Sequence, residues 1–151
     1  MTNSFTPQPS APTNLTLTTT KVANALPDDS YQLALTIAEA ADDRKGRDIV
    51  ILNVAEVSYI TDYFVIVSGF SHVQVKAIAR SIEDKVQTQW QRPPLQLEGQ
   101  AEGSWVLIDY GDVIAHIFMP QEREFYNLEA FWGHAERIPF TVSQLTRDSV
   151  Q

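Results

Sequence analysis

The stretch Ser104–Pro120, SWVLIDYGDVIAHIFMP, decides the fold of this chain. It reads as two apolar strands folded back on each other across Asp109-Tyr110-Gly111-Asp112. Gly111 has no Cβ and can take the positive φ that a tight hairpin demands. Val106-Leu107-Ile108 and Val113-Ile114-Ala115 run without polar interruption, which suits strands covered on both faces. A hairpin of this kind sits inside a sheet, with helices packed on it.

Working outward, Leu95-Gln96-Leu97 precedes the hairpin as a short strand, and the prolines before it favour an edge. Before that comes the longest helix. Ser71 and Gln74 form a capping box, Val75, Ile78, Ile82 and Val86 line one face, and Lys76, Arg80, Glu83 and Asp84 line the other. Two further strands precede it, Asp48–Val54 and Tyr63–Ser68, joined by the connection Ala55–Asp62. A first helix opens the ordered part, with Asp29 and Gln32 at capping-box spacing, Leu33, Ile37 and Ala41 as its stripe, and Gly46 as its expected left-handed terminator. After the hairpin, Gln121–His134 reads as a last helix with Phe125, Leu128 and Trp132 inward, ended by Ile138-Pro139-Phe140. Residues 1–27, rich in Thr, Ser, Pro and Asn, read as a disordered leader, residues 28–140 as one domain, and 141–151 as a flexible tail. The expected fold class is therefore α/β (α+β), a mixed sheet of about five strands flanked by helices.

Composition narrows the functions. A length of 151 residues suits a single moderate core, and 44% hydrophobic with 20% charged residues is ordinary for a globular domain. No apolar run approaches the roughly 20 residues that span a bilayer. The absence of cysteine excludes disulfides, thiol catalysis and cysteine metal sites. A formal charge of −8 argues against binding nucleic acid by phosphate neutralisation and leaves a basic protein partner open.

Sites for chemistry are sparse. His72, His116 and His134 fall on different elements, without a carboxylate or second histidine at metal-ligand spacing, and His116 reads as a hydrogen-bonded residue of a strand. Ser68-Gly69-Phe70-Ser71 could hold an anion at a strand-to-helix turn, but with one glycine it reads first as a capped helix start. Asp109 and Asp112 form the one obvious carboxylate pair, able in principle to hold a divalent ion or to act as acid and base, yet aspartates flanking glycine are also good turn formers. From Glu98 to Glu136 eight acids accompany Arg123 alone, interleaved with Trp105, Tyr110, Phe125, Tyr126, Phe131 and Trp132. Aromatics among acids describe either a docking surface for a basic protein or a solvated acidic face over an aromatic core.

Three linked motifs then carry a family resemblance. Thr61–Gly69 (TDYFVIVSG) followed by Ser71, Gln74 and Val75, then Trp105–Val113 (WVLIDYGDV), then Arg123–Glu129 (REFYNLE) with Trp132, together resemble the ribosomal silencing factor, or Iojap-like, family over roughly residues 30–137. The resemblance implies a nucleotidyltransferase-like fold lacking the catalytic signature. It implies a cytoplasmic protein, with an organellar stroma or matrix as the alternative, that is no enzyme and needs no cofactor. Its partner would be the large ribosomal subunit, met at ribosomal protein fourteen, so that joining with the small subunit is blocked and translation damped when nutrients are short. A homodimer is left open; neither membrane nor sequence-specific nucleic-acid contact is implied. Asn53, Phe70 and Ile114-Ala115 depart slightly from the family pattern. The partner-binding residues expected on this basis are Trp105, Asp109, Tyr110, Asp112, Tyr126, Glu129 and Trp132. The rival reading is a nucleotidyltransferase-like enzyme using Asp109 and Asp112 with a divalent metal.

Overall fold

The computed structural model describes residues 29–140; the expected leader 1–27 and tail 141–151 lie outside the described residues. The elements run α1 (Asp29–Asp43), β1 (Arg47–Asn53), β2 (Tyr63–Ser68), α2 (His72–Trp90), β3 (Gln96–Glu98), β4 (Trp105–Asp109), β5 (Val113–Phe118), α3 (Pro120–Tyr126), α4 (Leu128–Phe131) and β6 (Glu136–Pro139). They form a mixed sheet of six strands in the order β3-β4-β5-β2-β1-β6. The pair β2–β5 is parallel and the other four pairs are antiparallel. The α/β class stands, with one strand more than expected. Ile138-Pro139-Phe140 was expected only to end the last helix; Glu136–Pro139 instead forms a strand that pairs with β1 at the sheet edge, a position where proline is tolerated.

Strand alternation sorts the side chains into two layers. On one face Ile51, Val65, Val67, Val106, Ile108, Val113, Ala115 and Ile117 meet the apolar stripes of α1 and α2. The alanines of α1 leave little bulk between the helices, so Ser81 Oγ reaches the Ala40 carbonyl at 2.9 Å and Trp90 Nε1 reaches Thr36 Oγ1 at 3.1 Å. The other face gathers Val50, Leu52, Phe64, Ile66, Ile114 and Phe118, with Trp105, Leu107, Leu128 and Trp132 packed against them. The strand β5 is buried along its whole length, as expected of a central strand. The run Val106-Leu107-Ile108 is different: β4 alternates between buried and half-buried residues, so only one of its faces is fully covered.

Ser71 Oγ accepts the Gln74 N–H at 3.0 Å, as the capping box required, while Gln74 Oε1 accepts the Phe70 N–H at 2.7 Å. The first helix begins at Asp29 itself, so Asp29 lies within its first turn rather than ahead of it. Its left-handed terminator is Lys45 (φ 62°), not Gly46. Gly46 is needed for space, because a Cβ there would stand 2.5 Å from Val67 Cγ2 and 3.0 Å from the Ala41 carbonyl oxygen. The expected last helix is broken in two at Asn127 (φ 46°).

Candidate docking face

The second face of the sheet holds the candidate site. Because β4 and β5 are neighbours in register, with Trp105 opposite Phe118 and Leu107 opposite His116, their aromatic side chains stand side by side. The Trp105 ring lies 4.9 Å from that of Phe118 and 4.6 Å from that of Tyr126, which α3 lays across the sheet. Further along, Trp132 meets Phe64 edge-on at 5.5 Å. Trp105, Tyr126 and Trp132 thus form one face, and Phe125 and Phe131 project beside it with 79% and 75% of their surfaces exposed. Phe125 was expected to point inward; the short α3 turns it to solvent instead.

The break at Asn127 has an electrostatic consequence. In a continuous helix, residues six apart lie on different faces, so Arg123 and Glu129 could not meet. Across the break they do. Arg123 Nε and Nη2 donate to the Glu129 carboxylate at 2.9 and 3.1 Å, and Arg123 Nη1 donates to Ser68 Oγ at 2.9 Å, which fastens α3 and α4 to the end of β2. Arg137 Nη2 donates to Glu129 as well, at 3.0 Å. The hydrogen bonds from Arg123 outweigh the effect of burial and hold the Glu129 carboxyl below the usual range. Glu129 is therefore an internal anchor of the face rather than a free rim charge.

The other expected residues separate. Tyr110 is buried at 1% exposure within the helix-side core, so it is unavailable for docking. Strand alternation from Val106 and Ile108 already pointed it that way. Burial raises its phenol well above the ordinary range. Asp109 accepts the Gly111 N–H at 2.8 Å and closes the turn, where Gly111 takes φ 96°. Asp112 accepts from Arg92 at 2.8 Å and from Ser30 Oγ at 2.7 Å, which places it among the helices. Both carboxylates of the rival enzyme reading are thus engaged by protein donors. Among the described residues no group of three or more His, Asp or Glu side chains is placed to hold a metal ion.

His116 was read as a hydrogen-bonded strand residue and is one, with 5% exposure and its Nδ1 accepting the Trp105 indole N–H at 3.1 Å. Its connection to the aromatic face, and that of Arg123, escaped the motif reading, because each acts through a neighbour distant in sequence. A second exposed apolar group, Val57, Tyr59 and Ile60, lies in the loop between β1 and β2.

Residues 27–151 match the family model described as "Ribosomal silencing factor during starvation". The chain is 44% identical over 98 residues to the Ribosomal silencing factor RsfS of Bacillus subtilis (strain 168), covering 65% of this chain and 82% of that one. It is 40% identical over 118 residues to Protein Iojap, chloroplastic, of Zea mays, covering 77% of this chain and 51% of that protein. Among solved structures, a Chromobacterium violaceum protein superposes with a TM-score of 0.64 at 35% identity, covering 70% of this chain and 84% of that one.

Proposed function

The chain belongs to the ribosomal silencing factor family, and on that premise we propose that it binds the large ribosomal subunit and blocks joining of the small subunit. The contact is made with ribosomal protein fourteen, and the effect is to lower translation when nutrients are limiting. The observation that carries this reading is the face of Trp105, Tyr126 and Trp132 with the exposed Phe125 and Phe131 beside it. Large aromatics at the centre of an interface are the usual anchors of affinity. A formal charge of −8 favours encounter with a basic partner, and steric exclusion requires no catalytic group. The protein is accordingly read as a non-catalytic factor acting in the cytoplasm.

The test is a sucrose-gradient profile of lysate at low magnesium, probed for this protein, followed by a joining assay with purified subunits. Comigration with large subunits, and fewer joined ribosomes on titration, is the expected result. A protein that stays at the top of the gradient, or that rides on large subunits without reducing joining, is incompatible with the proposal.

A further inference from the structure

The polar atoms of His116 are an odd possession for a central strand. Its ring sits between Ile66 of β2 and Leu107 of β4 in the sheet, with Phe64 edge-on at 5.0 Å and Phe118 stacked at 6.0 Å. Because Nδ1 accepts the Trp105 N–H, the ring proton of the neutral imidazole resides on Nε2. That atom is buried and has no hydrogen-bond partner among the described residues. Burying an unpaired donor costs stability, whereas an apolar side chain of similar size would not incur that cost. The hydrogen bond from Trp105 is the compensating interaction in view, and it reaches out of the core to a half-buried ring of the docking face.

We propose that His116 is a positioning residue for that face, its Nδ1 holding the Trp105 indole in the orientation that presents the ring to the partner and seats Tyr126 beside it. The inference rests on the docking reading above and adds to it a buried determinant that never touches the partner. Without the acceptor, the indole N–H must seek water, and the ring rotates away from its contacts with Phe118 and Tyr126. Burial keeps the imidazole neutral, with a pKa lowered to about 4, so the acceptor is present at neutral pH.

Two variants of the full chain test this, His116→Leu and His116→Asn, with Trp105→Ala as reference. The measurements are the indole N–H resonances by NMR, assigned with Trp105→Phe, and affinity for purified large subunits. The Leu variant is expected to melt no lower than the parent, to shift the Trp105 indole resonance and speed its exchange with solvent, and to bind roughly tenfold more weakly. The Asn variant, whose amide oxygen can stand near the position of Nδ1, is expected to keep the resonance near its parent position and to recover most of the binding. A merely structural histidine would show no such rescue. Parent-like affinity in His116→Leu, while Trp105→Ala binds weakly, overturns the proposal and leaves the docking face intact. Parent-like affinity in Trp105→Ala overturns both. If the Leu variant does not fold, a folded Asn variant that releases the indole yet binds like the parent is equally fatal.

Discussion

Arg92 Nη2 donates to the Asp112 carboxylate at 2.8 Å and also to the backbone carbonyl of Tyr110. The other Asp112 oxygen accepts from Ser30 at 2.7 Å, so the hairpin tip, the loop after α2 and the start of α1 are held at one point. Burial alone would raise the Asp112 pKa; the hydrogen bonds from Arg92 and Ser30 outweigh it and leave the value lowered. A lowered folded pKa contributes stability that is present at neutral pH and lost as pH falls through the unfolded value, about 3.9, toward the folded one. Arg92→Ala should therefore cost about 1–2 kcal/mol near pH 7, both side chains being partly exposed. Asp112→Asn should flatten the acid limb of a urea-denaturation series below about pH 5. Parallel acid limbs in parent and variant would show that the pair has no such linkage.

His116 predicts a different pH window. Its folded pKa, about 4, lies below the ordinary 6.5 of a solvated imidazole because of burial, so between these values the unfolded chain takes up a proton that the fold refuses. Stability should then fall with falling pH by at most roughly 1.4 kcal/mol per unit in that interval. His116→Asn cannot titrate and should lack this component. The difference between the two stability curves is the measurement, and zero difference contradicts the assignment.

Gly46 and Lys45 predict opposite signs at adjacent positions. Gly46→Ala drives a methyl into Val67 Cγ2 and the Ala41 carbonyl and should cost about 1–3 kcal/mol. Lys45→Gly relieves a left-handed residue at φ 62° and should gain about 0.5–1 kcal/mol. Chemical denaturation of both variants checks the pair; a stabilising Gly46→Ala would mean that the helix end relaxes freely.

Among the aromatics, stability and binding should separate. Phe125→Ala and Phe131→Ala remove rings that are mostly exposed, and should leave the melting temperature almost unchanged while weakening subunit binding, by about 2 kcal/mol for any that is a hot spot. Trp132→Ala removes a ring packed on Phe64 and should also lower stability by about 2 kcal/mol. Full binding by both folded phenylalanine variants would move the interface elsewhere.

Much of this architecture was legible in residue order. The Ser71–Gln74 box, the stripe of α2, the turn at Gly111 and the edge position of β3 all follow from local spacing, and each occurs where spacing put it. What escaped depends on distant partners. Asn127 adopts a left-handed conformation that most residues avoid, and across the break it makes lies the Arg123–Glu129 pair. The strand β6 is short, contains proline, and exists because β1 offers it an edge. Tyr110 was misplaced for another reason. Motif membership does not say which face a side chain takes, whereas the two-residue period of a strand puts Tyr110 on the buried side with Val106 and Ile108.

Phe64, Trp105 with His116, and Trp132 reach the second face from segments separated by tens of residues, through a parallel pair that cannot close as a hairpin. No early portion of the chain can therefore assemble a reduced version of that surface. A polypeptide cut short before Trp132 would lack its last ring, and a folded chain that opens at β5 would lose its middle. The surface is complete only in intact, folded molecules, so the working concentration of the protein is the concentration of those molecules rather than of total chain.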